Sequence, residues 1–463
     1  MSALASLLEL GSPLIAGGTG LAVARAKTPR LYWIAVGLPV TAGRIAHSYA
    51  KVMEACGLTV EPSLWRTMAS TAVTRRELRP VPPRVRAVVP TATGLRLRLR
   101  LARGQETADV VEVTERLRHA WEVHGVHVAE VRPGVVELRL TAFDVLRSVR
   151  MPKRASARAT GLLRVPVALR EDGTVFVRDF RVIPHELNLG ANQSGKSMLL
   201  RNLLWGLAPQ PVALVGIDCK WGVELAPFAP RLSALAIDPQ EASELLPILI
   251  AMMEDRYELI RERQGIARST PDEEITSDIW GLPEEIRPVP VVLLVDEIAE
   301  VFLTSSAKDD KRRDQMVTDL IRLAQLGRAA GMYMEIAGQR FGSDLGKGAT
   351  ALRAQLTGRV CHRVNDEASA KMALADVAGA AVYAATQIAP ERPGTAVVGD
   401  TSGHWSRVRT PARSLEEVAA VCRAHAYMTP DLPELARFRP APAMVPAPSD
   451  APPSLLKPLP VGD

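Results

Sequence analysis

The sequence predicts an α/β chain whose main body is built on a buried, mostly parallel sheet. A small α+β domain and a short hydrophobic N-terminal segment precede that body. Three observations carry the assignment. Residues 190–197 read Gly-Ala-Asn-Gln-Ser-Gly-Lys-Ser, between an apolar lead-in ending at Leu187 and Leu189 and the helix-spaced run Met198–Trp205. Val291-Val-Leu-Leu-Val295 is a run of β-formers ending in Asp296-Glu297, as a buried parallel strand does at its C-terminal edge. From about Val165 to His425, apolar strands alternate with helical stretches.

The bulk numbers set the frame. A chain of 463 residues, 47% hydrophobic and 23% charged, has ample length for a core and for several domains. The net charge is +6, from 57 Lys+Arg against 51 Asp+Glu. That mild excess is compatible with nucleic acid or an anionic membrane and proves neither. It is concentrated in the first 160 residues, whereas Asp255 to Glu285 is acidic. Cys56, Cys219, Cys361 and Cys422 lie far apart without a C-x-x-C, so neither a disulfide framework nor a zinc site is indicated. His124 and His127 lack a second ligand pair and read as surface histidines.

The elements follow in order. Residues 1–50 hold two apolar runs, Leu10–Ala24 and Leu31–Gly43, with Arg25, Lys27 and Arg30 between them. The pattern fits a short membrane hairpin with a cytoplasmic basic loop, or a pair of buried or interfacial helices. Residues 75–86 form a basic, Pro-rich linker. In the small α+β domain, at 87–150, Leu95-Arg-Leu-Arg-Leu-Arg-Leu101 alternates with period two, as a half-buried strand does. Thr107–Val123 has helical spacing, and Val126–Val131 and Val135–Leu140 flank an Arg132-Pro-Gly134 turn. The Arg96, Arg98 and Arg100 face is either solvated or in contact with phosphates. After a basic linker at 151–161, Val165–Val177 reads as a hairpin turning at Glu171-Asp-Gly173, and the main body spans 160–428. The tail at 429–463 is Pro-rich and is expected to be disordered or extended.

The chemistry concentrates in a few residues. Backbone N–H groups of Gly190, Ala191, Asn192, Gln193, Ser194, Gly195, Lys196 and Ser197 can cradle phosphates at a helix N-terminus. Lys196 suits the β/γ-phosphates of ATP and Ser197 suits Mg²⁺. Asp296 suits the same metal through water, and Glu297 suits the attacking water. Met334-Glu-Ile-Ala-Gly-Gln339-Arg340 reads as a strand ending in a polar sensor, with Gln339 facing the γ-phosphate. Arg328 and Arg359 each stand beside small residues. Either is a candidate arginine finger toward a neighbouring subunit, or a structural ion pair.

In order along the chain, these motifs resemble the FtsK/SpoIIIE DNA translocases of the HerA-FtsK group of P-loop motors. The series is Pro184-His185-Glu-Leu-Asn-Leu-Gly190, Ile217-Asp218-Cys-Lys220 with Glu224-Leu225, Met253-Glu254-Asp-Arg256-Tyr257, Asp296-Glu297, Leu326-Gly327-Arg328-Ala-Ala-Gly331 and Gln339-Arg340. It covers about residues 160–400. The resemblance implies a RecA-like motor domain forming a hexameric ATPase ring around double-stranded DNA, with each nucleotide capped in trans by an arginine. Two departures stand out. Gly338 replaces the usual threonine of the sensor strand, and no room remains for the winged-helix module that reads orienting sequences. The compact form resembles the transfer (Tra) proteins of actinomycete conjugative elements. This implies movement of plasmid or integrative-element DNA between cells, at the cytoplasmic face of the membrane or in the cytoplasm, with other transfer proteins as possible partners. The alternatives are a chromosome-segregation motor and a secretion-system coupling or scaffold ATPase acting on protein cargo.

Overall fold

The computed structural model describes residues 32–61, 80–149, 151, 161–264, 276–400 and 402–440. Within them the chain forms two units. One takes in residues up to 178, 190–199 and 359–412; the other takes in 179–189, 200–358 and 413 onward.

The first unit opens with five residues of π-helix, Trp33–Gly37, that run into helix α1 (Leu38–Ala55). A Cβ at Gly37 would stand 2.6 Å from the Trp33 ring, so glycine lets the indole lie against the helix. The indole N–H donates to the Thr91 carbonyl at 3.0 Å. Strands β1 (Arg84–Pro90) and β2 (Gly94–Arg100) follow, then helices α2 (Thr107–Glu112) and α3 (Thr114–Ala120), then β3 (Gly125–Arg132) and β4 (Val135–Thr141). The sheet is antiparallel, in the order β1-β2-β4-β3. Period-two alternation divides it cleanly: Leu95, Leu97 and Leu99 are buried and the arginines between them are exposed. The leucine face packs with Val110, Leu117 and Trp121 from the helices and with Val136, Leu138 and Leu140.

Trp33, Ile45, Met53, Cys56 and Leu58 belong to this same core, which therefore extends upstream of residue 87. The second apolar run of the N-terminus, expected as one leg of a membrane hairpin, is from Tyr32 onward part of a domain helix. Of this run Trp33 is buried in the core, whereas Ile34 and Val40 are exposed. Among the described residues no helix is long and apolar enough to cross a membrane. The first run, Leu10–Ala24, lies outside the described residues, as do residues 75–79 of the 75–86 linker and residues 152–160; the end of that linker, from Arg84, belongs to β1.

The main body then unfolds in chain order. A hairpin of β5 (Arg164–Arg170) and β6 (Val175–Asp179) turns at Gly173, whose φ of +81° favours glycine. Next come β7 (His185–Leu189), α4 (Lys196–Leu207), β8 (Ala213–Ile217), β9 (Ala234–Ala236) and the long α5 (Pro239–Gln264). They are followed by β10 (Val291–Val295), α6 (Ile298–Phe302), α7 (Ala307–Leu326), β11 (Met332–Gly338) and α8 (Ala349–Gln355). The last elements are β12 (Gly358–His362), α9 (Glu367–Leu374), α10 (Gly379–Thr386), β13 (Thr395–Asp400), β14 (Trp405–Arg409) and α11 (Leu415–Ala424). In the first unit the strand order is β6-β5-β14-β13-β12, with β14 antiparallel to both β5 and β13. In the second it is β7-β11-β10-β8-β9, parallel throughout. Every residue of those five strands is buried, as expected of a parallel sheet covered on both faces.

The tail differs from expectation. Residues 430–440 are ordered against the second unit, where Pro433–Phe438 forms a 3₁₀ helix. Leu435 (fully buried) and Phe438 are the reason: a proline-rich composition hid two anchors for a short segment. Arg437 adds an ion pair with Glu244. Residues 441–463 lie outside the described set. The packing predicts that Leu435→Ala lowers stability to denaturant by about 2–4 kcal/mol, the range for a buried Leu→Ala change. Urea unfolding followed by circular dichroism checks this, and an unchanged midpoint would mean the segment is not docked.

Candidate nucleotide site

In the first unit the 190–197 loop is held by backbone bonds from two sides. Ala191 N–H donates to the Arg363 carbonyl at 2.8 Å, and Arg363 Nη2 donates to the Asn192 carbonyl at 3.0 Å. Gly394 N–H donates to the Ser194 carbonyl at 2.8 Å, and Thr410 N–H donates to Gly394 at 2.9 Å. Gln193 has φ +58° and Gly195 φ +114°. A Cβ at Gly195 would overlap the Gly394 backbone, so this position tolerates only glycine. The turn feeds directly into α4 at Lys196, where the first N–H groups of a helix have no intrahelical partner. Lys196 Nζ donates to the Gly190 carbonyl at 2.6 Å and to Ala191 at 3.4 Å. The ammonium is thus folded over the loop at a helix N-terminus, an arrangement that suits an oxyanion.

His362 stands behind the loop, fully buried, with Nδ1 3.2 Å from the Thr395 carbonyl oxygen. Burial first, and then the Lys196 charge, push its pKa down to about 3 against the opposing pull of that carbonyl. No sequence pattern marked this residue.

In the second unit the acids sit at the ends of parallel strands. Asp296 and Glu297 follow β10, Asp218 follows β8 and Gln339 follows β11. Asp296 and Glu297 are each 5% exposed. Lys220 Nζ lies 3.1 Å from Asp296 Oδ2 and 3.6 Å from Glu297 Oε2. The loop that delivers Lys220 is tied down by Asp218. Its Oδ2 accepts from Glu224 N–H (2.8 Å) and Leu225 N–H (3.0 Å), and its Oδ1 from Lys220 N–H (3.2 Å). Burial pulls the Lys220 pKa down, but Asp296 by charge and hydrogen bond, then Glu297 and Asp218, outweigh it and hold the ammonium above its usual range. In the sequence Lys220 was visible only as part of a motif, with no role attached.

Gln339 meets this cluster through its backbone, whose N–H donates to Glu297 Oε1 at 3.2 Å; its side chain is exposed. The glycine before it now has a reason. A Cβ at 338 would stand 3.2 Å from that carboxylate oxygen and 2.9 Å from Ile298, so Gly338 makes room for Glu297.

The two arginines part company. Arg328 is exposed on a turn closed by Gly331 (φ +67°). That turn is braced by α5: Arg256 donates to the Ala330 and Val289 carbonyls at 2.8 and 2.9 Å, and Tyr257 donates to Leu326 at 2.8 Å. The Arg256-Tyr257 motif is thus a clamp on the Arg328 turn. Arg359 is 1% exposed and reaches Asp376 at 3.4 Å. This is the setting of the structural ion pair, one of the two readings its sequence allows.

Ser197 and Asp296 offer hard oxygen donors of the kind Mg²⁺ takes. Glu297 Oε2 is buried and makes no hydrogen bond, so it too has capacity for a polar partner.

Comparison with known proteins agrees with this picture. Residues 21–142 match the family described as actinomycete conjugal transfer protein N-terminal domain, and residues 146–343 match the FtsK/SpoIIIE family. The chain is 56% identical over 403 residues to transfer protein TraSA of Streptomyces ambofaciens, covering 87% of this chain and 96% of that one. It is 61% identical to a sporulation regulatory protein of Streptomyces azureus, over 61% of this chain and 88% of that one. DNA translocase FtsK of Lactococcus lactis is 26% identical over 58% of this chain and 36% of its own length. Among solved structures, the pCW3 conjugation coupling protein TcpA is similar at 17% identity and a TM-score of 0.49, covering 74% of this chain and 93% of that one. The cytoplasmic domain of the Thermomonospora curvata type VII secretion ATPase EccC is similar at 21% identity and a TM-score of 0.43, covering 60% and 32%.

One consequence of the geometry is a pH dependence. His362 has a folded pKa of about 3 and an unfolded one near ~6.5. The unfolded chain therefore binds the proton first. The stability contributed by neutral His362 is complete above about pH 6.5 and is lost as pH falls toward about 3, at up to ~1.4 kcal/mol per pH unit. His362→Asn keeps an N–H for the Thr395 carbonyl and removes the titration. Its urea midpoint is expected to fall less steeply than the parent's between about pH 7 and about pH 5; equal slopes would contradict the assignment.

Proposed function

The chain belongs to the FtsK/SpoIIIE family and is a P-loop ATPase, and from this premise we propose that it is an ATP-driven motor that moves double-stranded DNA in conjugative transfer. One observation carries the reading: a single chain joins a match to a conjugal-transfer N-terminal domain at 21–142 to an FtsK/SpoIIIE match at 146–343. Membership of the family implies the use of ATP and Mg²⁺. We assign the phosphates to Gly190–Ser197 and Lys196, the metal to Ser197 and Asp296, and activation of water to Glu297. Mg²⁺, when bound, neutralises phosphate charge and fixes the triphosphate. Lys196 would leave the Gly190 carbonyl to hold the phosphates. Lys220 pairs with both strand-end acids and would have to release Asp296 for that residue to hold the metal. Gln339, bonded through its backbone to Glu297, is the proposed link between the state of that carboxylate and the strand that follows. Arg328, exposed on its braced turn, is the finger candidate.

The proposed working form is a hexameric ring. The proposed place is the cytoplasmic face of the cell membrane alongside other transfer proteins, with the cytoplasm as the alternative. A second reading keeps the motor and changes the cargo to protein, and experiment decides between the two. A chromosome-segregation role is the third.

ATP hydrolysis by the full chain is expected to rise on addition of duplex DNA and to vanish in Lys196→Ala. Stimulation only by a peptide signal would transfer the assignment to protein cargo, and full activity in Lys196→Ala would end the motor reading. Glu297→Gln is expected to keep ATP binding and to lose turnover by about 10²–10⁴-fold, the range for a general base. Arg328→Ala subunits mixed with Lys196→Ala subunits are expected to regain activity, because each kind supplies what its neighbour lacks. No recovery would exclude Arg328 as the finger.

A further inference from the structure

The solvent face of the small N-terminal sheet carries an arrangement that packing does not explain. The strand register places Arg84 opposite Arg100, Arg96 opposite Arg139, and Arg98 opposite Glu137. Arg132, opposite Val135 in the row of Arg100, joins them, so six arginines share one face with a single carboxylate. Like charges directly opposite in an antiparallel pair destabilise a sheet. Glu137 relieves only part of this: it accepts from Arg98 at 3.1 Å and from Arg139 at 3.2 Å. At the far edge, Arg139 also reaches Asp172 (3.3 Å) and His127 reaches Glu171 (3.4 Å), both acids from the β5–β6 turn. Neutralisation stops there. Arg84, Arg96 and Arg100 are exposed and form no hydrogen bond or ion pair among the described residues.

We infer that this face is a second, motor-independent binding surface for the phosphate backbone of duplex DNA; the inference rests on the DNA reading of the motor. Three features point to that chemistry. Along β2 the arginines recur every second residue, about 6.8 Å apart on a rigid strand, a regular row that suits a regular polyanion. The arginines without an ion pair lie on β1, on β2 and, at Arg132, on the end of β3, so that part of the face is left basic. No Phe, Tyr or Trp stands on the face in the register of the four strands, so nothing is offered for bases to stack on. Binding is therefore to backbone, independent of sequence, and suits a duplex better than a single strand. Such a surface would hold DNA while the motor releases and regrips it.

The test measures binding of a short duplex to the full chain by fluorescence anisotropy across a salt series, without nucleotide. The variants are Arg96→Gln with Arg100→Gln and, as a control of equal charge change on the helix that packs against the opposite, leucine face, Arg116→Gln with Arg118→Gln. The inference expects the slope of log affinity against log salt to become shallower by about 1.8 in the first pair, about 0.9 for each phosphate that an arginine no longer neutralises. It expects no change in the control pair and the parent melting temperature in both. An unchanged slope in the first pair, or an equal change in both pairs, overturns the inference while leaving the motor reading standing. Loss of binding to anionic lipid vesicles with DNA binding intact overturns it in favour of a membrane surface. A parent chain that binds no duplex, with or without ATPγS, overturns both readings together.

Discussion

Two carboxylates side by side at the end of a dry strand need a counter-charge. Asp296 and Glu297 are each 5% exposed, and a buried acid without a partner costs several kcal/mol. The fold meets that demand from its two neighbouring strands. From β8 comes Lys220, aimed by the Asp218 carboxylate at the base of its loop. From β11 comes the Gln339 amide, admitted because Gly338 has no side chain. Three strand ends are thereby tied to one pair of acids.

The parallel sheet makes this possible because it has direction. Neighbouring strands in the order β7-β11-β10-β8 all end at the same edge, so residues far apart in sequence arrive together without any local signal. The chain leaves β7 straight into the 190–197 loop, whose strained turn at Gln193 and Gly195 is held in place by backbone bonds to Arg363 and Gly394. Strain of this kind persists only where the surroundings fix it. Here they include His362, kept neutral by burial so that no second cation competes with Lys196.

Much of this was legible in the sequence where pattern and chemistry coincide. The loop at 190–197, the apolar strand before Asp296-Glu297 and the alternating Leu/Arg strand all form the expected elements, because each is fixed by local period or by residues needed in a row. What was hidden depends on partners distant in sequence. Lys220 carries no sign that it will meet Asp296, 76 residues on. Arg359 and Arg328 look alike beside their small neighbours, and only burial separates them. The N-terminal helix could be read as a membrane leg or as a buried helix, and hydropathy cannot separate the two; the structure places Trp33 in the core with the leucine side of the sheet. The ordered part of the tail was missed because two anchors, Leu435 and Phe438, weigh little in a proline-rich composition.

We propose that Lys196 would give up the Gly190 carbonyl, and Asp296 would give up Lys220, to hold ATP and Mg²⁺. A structure of the full chain with a non-hydrolysable ATP analogue, Mg²⁺ and duplex DNA tests this most directly. Phosphates are expected against the 190–197 backbone, with Lys196 turned onto them, Asp296 facing the metal and Lys220 released. Nucleotide bound with both lysines still on their present partners, or bound away from the loop, would contradict it.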